Sequence, residues 1–136
     1  MKAMGIDFGL SRIGIAFSDE TKFLASPFQT YHRKNHEADV EYLVNLIKLH
    51  KVDEIVCGLP MNMQGEEQQI AQFTRAFMDE VSKKCNLSIQ YVDERLSSVL
   101  AEEYLKERER DWKKRKEKLD SVAASIILQD YLDIRR

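Results

Sequence analysis

A chain of 136 residues, 43% of them apolar, fits one compact domain spanning residues 1–136. Its two cysteines, Cys57 and Cys85, form no spaced framework, which argues against a disulfide scaffold or a zinc site. No segment has signal-peptide or membrane-spanning character, so a cytoplasmic protein with no membrane partner is expected, and the formal net charge of −2 hides a basic run: residues 106–118 hold eight basic and four acidic side chains, leaving thirteen basic and nineteen acidic elsewhere.

Residues 2–7, 12–18 and 26–31 read as three short strands joined by brief loops, which favours antiparallel neighbours. In the second, Ile13, Ile15 and Phe17 alternate with Gly14, Ala16 and Ser18, the period of a sheet with unlike faces. From Glu37 the period becomes helical, with Val40, Leu43, Val44 and Ile47 on one face and Asp39 read as the cap. The run Ile55, Val56, Cys57, stopped by Gly58 and Pro60, reads as a strand buried on both faces. A second helix from about Glu66 uses Ile70, Phe73, Phe77 and Val81. Residues 88–92 form the next strand, and a helix capped by Ser97 or Ser98 carries Val99, Leu100 and Leu105 into the charged run. The last segment, LDSVAASIILQDYLDI, puts Ala123, Ala124, Ile127, Leu128 and Tyr131 on one face, the small residues permitting close approach to a sheet. The expected architecture is α/β: a mixed sheet of three antiparallel then two parallel strands, flanked by helices, with right-handed crossovers.

Three carboxylates stand at the ends of core elements. Asp7 closes the first strand, where an unpaired charge is costly unless a cation or donor meets it; capping the turn before Gly9 is the other reading. Asp93 and Glu94 end another strand with side chains on opposite faces, so one of them reaches a shared pocket. Asp120 lies in register with Ala124 and Ile127, or else is an N-cap. Oxygen ligands of this kind suit Mg2+ or Mn2+, and two such ions about 4 Å apart can activate water and stabilise the leaving oxygen in phosphodiester cleavage. His32 and His36 lie four residues apart without a suitable third zinc ligand. The loop GLPMNMQGEE is a place where backbone amides can meet a phosphate, and Trp112 and Tyr104, set among basic residues, can stack on bases or anchor a charged helix.

DFGLSRIGIAFSD, GLPMNMQG, VDERLSS and LDSVAASIILQDYLD, in this order over nearly the whole chain, together resemble the YqgF/RuvX family of Holliday-junction resolvases. The resemblance implies an RNase H-like fold, and it implies that Asp7, Glu94 and Asp120 are the metal-binding, catalytic residues. Where better-known RNase H-like nucleases carry a second strand-end acid, this chain has Gly58 and Leu59, so Glu94 substitutes from the neighbouring strand. The resulting expectation is a metal-dependent endonuclease acting on precursor 16S ribosomal RNA, branched DNA or both. Arg12, Arg95, Lys113, Lys114, Arg115 and Lys116 are the expected phosphate contacts. Symmetric cutting of a four-way junction would call for a homodimer. A non-catalytic nucleic-acid- or ribosome-associated module is the alternative. A third reading, an actin-like ATPase suggested by the first hairpin, lacks room for a second lobe.

Overall fold

The computed structural model describes residues 1–62, 64–95 and 97–135. Five strands, β1 (Lys2–Phe8), β2 (Arg12–Ser18), β3 (Ala25–His32), β4 (Val52–Leu59) and β5 (Ile89–Asp93), form one sheet in the order β3-β2-β1-β4-β5. β1, β2 and β3 pair antiparallel, whereas β4 pairs parallel with both β1 and β5. The mixed sheet expected from the loop lengths is therefore the observed one. Four helices accompany it: α1 (His36–Leu49), α2 (Gln69–Cys85), α3 (Ser97–Arg108) and α4 (Trp112–Arg135).

The alternation in each strand assigns the two faces. Met4, Ile6 and Phe8 of β1, Ile13, Ile15 and Phe17 of β2, and Ile55 and Cys57 of β4 pack with Val40, Leu43, Ile47, Phe77, Met78 and Val81 of α1 and α2 in the larger core. The opposite face is built of small residues: Ala3, Ala16 and Val56 meet Ala124, Ile127, Leu128 and Leu132 of α4. A side chain at Gly5 would run into Leu128 Cβ at 2.7 Å, and one at Gly14 would collide with the Asp120 carbonyl. Backbone contact of this kind draws α4 down onto the strands that carry Asp7. Against the outer side of α4, Val122 and Ala123 bury Ala101 and Leu105 of α3.

Several local expectations change. α1 is capped by Asn35, whose side chain accepts from the Ala38 amide. Asp39 sits one turn in, fully buried, and accepts from Tyr31 Oη (2.8 Å), Arg33 Nε (2.9 Å) and the Lys34 amide (3.0 Å). Phe73 is half exposed, because Ala71 and Thr74 take the buried stripe of α2. Val99 and Leu100 are also exposed, leaving Ala101 and Leu105 as the packing residues of α3. α4 begins at Trp112, well before the apolar periodicity does, since the Lys, Arg and Glu residues ahead of Leu119 are good helix formers.

The Asp39 network reaches the loop after β1. Arg33 stacks over Phe8 (4.7 Å) and Phe77 (5.3 Å) and donates to the carbonyls of Gly9 (3.3 Å) and Leu10 (3.5 Å). Burial alone would raise the Asp39 pKa, but the Lys34 amide, Arg33 and Tyr31 together hold it below its ordinary 3.8. A depressed carboxylate pKa contributes stability that is present above the unfolded value and lost as pH falls through the folded one. Asp39→Asn is thus expected to cost about 2–4 kcal/mol in urea unfolding at pH 7. The gap to wild type should narrow in acid below the ordinary value of 3.8.

Candidate active site

Asp7 points to the α4 side of the sheet, because it shares the parity of Ala3 and Gly5 in β1. On the next strand its partner in register is Gly14, the residue over which the Asp120 carbonyl lies. The antiparallel pairing and the glycine contact together bring Asp120 to the same end of the sheet as Asp7. Asp120 is eight residues inside α4, so it is not the N-cap of that helix.

Glu94 follows β5, with its amide donating to the Leu59 carbonyl (3.3 Å). Val92 of β5 belongs to the α4-side core, and Glu94 keeps that parity and turns inward. Asp93 faces the other way and accepts from both the Arg95 amide (2.9 Å) and Arg95 Nε (2.6 Å). A Cβ on Gly58 would lie 2.5 Å from Glu94 Oε2 and 3.0 Å from Glu94 Cβ. Gly58, which stands where the chain lacks a second strand-end acid, leaves open the space that the Glu94 carboxyl fills.

The Asp7 and Glu94 carboxyls lie close enough for a hydrogen bond between them. Such a bond requires a proton on one of them. Burial, then the Asp7 charge, pushes Glu94 up to about 9, while burial raises Asp7 despite the Glu94 hydrogen bond and the nearby Arg12 charge. Glu94 Oε2 is buried and has no hydrogen-bond partner. Two desolvated acids with a vacant oxygen between core elements are the donor set a hard divalent cation takes, in place of the shared proton. Asp120 is directed elsewhere: its Oδ2 accepts from Arg12 Nε at 2.6 Å. No group of three His, Cys, Asp or Glu side chains among the described residues is gathered closely enough to hold an ion as it stands. Asp7 and Glu94 therefore fit a metal directly, and Asp120 fits on exchanging its arginine.

An open cleft of about 460 Å3 lies over this end of the sheet, lined by Asp7, Gly9, Leu10, Ser11, Arg12, Ile70 and Asp120. Of the expected phosphate contacts, only Arg12 lines it. Lys113 and Lys116 line an adjoining groove with His32 and Trp112, and Arg12 lines both. Arg115 is spent on the α3–α4 corner, donating to the Glu109 (3.0 Å) and Arg110 (3.2 Å) carbonyls. Lys114 lines neither cavity, and Arg95 is engaged with Asp93. In the loop after β4, the Gln64 and Glu66 amides donate to Asn62 Oδ1 and the Gly65 amide to the Asn62 carbonyl. Those amides serve the loop itself rather than a phosphate; Met63 of this segment is outside the described residues. From the sequence, Gly58 reads only as a strand stop that lacks an acid, and Arg33 is not singled out; their signals are a glycine closing an apolar strand and an aspartate on the apolar stripe of α1.

Residues 1–134 match the family model described as RuvX, Holliday junction resolvase. Among curated relatives, a protein of Halothermothrix orenii is 44% identical over 98% of this chain and 95% of its own length. A protein of Maridesulfovibrio salexigens is 41% identical over 97% of this chain and 98% of its own. Both bear the name "Putative pre-16S rRNA nuclease". Among solved structures, T. thermophilus RuvC in complex with a Holliday junction substrate superposes with a TM-score of 0.64 at 10% identity, covering 99% of this chain and 95% of that one. Fowlpox virus resolvase with Holliday junction DNA gives 0.61 at 12% identity, covering 99% of each. At these identities the likeness shows the fold, an RNase H-like mixed sheet.

A raised carboxyl pKa costs the folded state stability as pH climbs. For Glu94 the cost accumulates between its ordinary 4.5 and about 9. In metal-free urea unfolding, Glu94→Gln should therefore gain on wild type as pH rises from 5 to 8.5, by about 1–3 kcal/mol. A difference independent of pH would show that Glu94 is not an uncompensated, desolvated acid.

Proposed function

The chain belongs to the RuvX family, and from that membership we propose that it is a divalent-metal-dependent nuclease hydrolysing phosphodiester bonds in precursor 16S ribosomal RNA. The observation that carries the reading is the half-buried Asp7–Glu94 pair with its unpartnered Glu94 Oε2, beside a cleft that Asp7 and Arg12 line. Asp7 and Glu94 would hold Mg2+ or Mn2+, and Asp120 would join them. Such a cation supplies Lewis acidity at the phosphoryl oxygens and makes water a stronger nucleophile.

The chain's own residues account for the rest. Arg12, exchanging Asp120 for a phosphate, both fixes the substrate and frees the third carboxylate. Gly9 and Leu10, held by Arg33, keep the cleft rim in place, so positioning does not depend on a loose hairpin. Gly58 keeps Glu94 against Asp7. The relatives' shared name, at 44% and 41% identity over nearly the whole chain, supports ribosomal RNA as substrate, and a role in processing that RNA fits a cytoplasmic protein. Resolution of Holliday junctions is the second reading, supported by the family description; it would require two active sites and hence a homodimer.

A cleavage panel that sets precursor 16S ribosomal RNA against a four-way DNA junction, with and without Mg2+ or Mn2+, tests this. Wild type should cut the RNA only with metal, and Asp7→Asn should bind it but leave it intact. Equal cutting by Asp7→Asn would remove Asp7 from the chemistry, and junction-only cutting would move the substrate to DNA. Gly58→Ala should lower kcat/KM about 100-fold by displacing Glu94, since misplacement of about 1 Å has that cost. Unchanged cleavage by a folded Gly58→Ala protein would contradict the assigned place of Glu94.

A further inference from the structure

We propose that the groove on the far side of Arg12 is a subsite for an unpaired ribonucleotide next to the bond that is cut, with the indole of Trp112 as the platform for its base. The nature of the ligand rests on the nuclease reading above. The groove has a volume of about 410 Å3, within the range of small-ligand sites, and is lined by Arg12, His32, Trp112, Lys113, Lys116 and Glu117. Arg12 is the wall it shares with the acidic cleft, so a strand leaving the Asp7–Glu94 pair passes directly into it.

Trp112 is 61% exposed at the start of α4 and contributes to none of the three apolar clusters. An open indole flanked by cations binds single strands, because every unpaired base offers a π-face while its phosphate seeks the positive charge. Lys113 Nζ lies 5.8 Å from the indole, with Lys116 one helical turn further and Arg12 opposite. The groove is held rigidly. Thr30 of β3 donates to the Glu117 carbonyl at 2.6 Å, and Arg115 fastens the corner that precedes the first turn of α4.

Glu117 decides the kind of strand. A carboxylate among three cations repels a phosphate but accepts from a neutral donor, and the ribose 2′-hydroxyl is the donor that separates RNA from DNA. Stacking on the indole requires an exposed base, which a duplex does not offer. The occupant assigned is therefore single-stranded RNA.

Trp112 is the chain's single tryptophan, so its fluorescence reports on this groove alone. Metal-free protein would be titrated with a hexanucleotide of single-stranded RNA, the same sequence as DNA, and a blunt RNA duplex, with affinities from anisotropy of end-labelled strands. The single-stranded RNA should quench the tryptophan and bind most tightly. Trp112→Ala should weaken it about tenfold and Trp112→Phe should retain most of the binding. Lys113→Ala with Lys116→Ala should flatten the salt dependence by more than one unit of slope. Absent quenching, equal quenching by the duplex or the DNA, or undiminished binding by Trp112→Ala would each overturn the assignment. Because this titration involves no cleavage, its outcome is separate from that of the cleavage panel: quenching here with no cutting there refutes the nuclease reading and keeps the groove, whereas cutting there without quenching here does the reverse.

Discussion

Two half-buried carboxyls set against each other at the end of a sheet are an unfavourable arrangement, and much of the structure around them exists to hold it. Asp7 and Glu94 sit where water cannot reach one of their oxygens, and a shared proton is what the metal-free protein offers in compensation. Neither side chain can turn away. Asp7 is fixed by its parity in a strand paired on both sides, and Glu94 by the gap at Gly58 and by the hydrogen bond its amide donates to the Leu59 carbonyl. A local cost of this sort persists only when the surroundings over-determine it.

Those surroundings come from the small residues on one sheet face. Ala3, Gly5, Gly14, Ala16 and Gly58 let α4 descend to backbone contact, and the same descent delivers Asp120 beside Arg12 and extends the first turns of α4 along the adjoining groove. The opposite, bulkier face supplies the stability, through the core under α1 and α2 and through the buried Asp39–Arg33–Tyr31 network that also pins the loop after β1. One face of the sheet thus carries packing, and the other carries chemistry.

How far the sequence revealed this depended on whether the signal was local. Strand alternation and helical period are local, and the sheet with its mixed pairing follows from them together with loop lengths. Asp7 could be singled out because its apolar strand is contiguous with it. The choice between Asp93 and Glu94 could not be made, since it depends on the register of β5 against β4, in which Leu59 pairs with Asp93 and leaves Glu94 one step further, facing α4. The start of α4 was hidden because the residues ahead of Leu119 are charged and show no apolar period, so Asp120 resembled a cap. Asp39 resembled a cap as well, since nothing within a few residues announces the Arg33 and Tyr31 side chains that hold it. Contacts between distant segments, such as Gly58 with Glu94 and Gly14 with Asp120, leave only a glycine as their trace.

The central claim, that Asp7 and Glu94 form a cation site, is tested most directly by anomalous diffraction from crystals equilibrated with Mn2+. A manganese peak is expected between the two carboxyls, in bonding contact with Glu94 Oε2. A well-ordered crystal with both side chains defined, saturating Mn2+ and no peak at that position would contradict it.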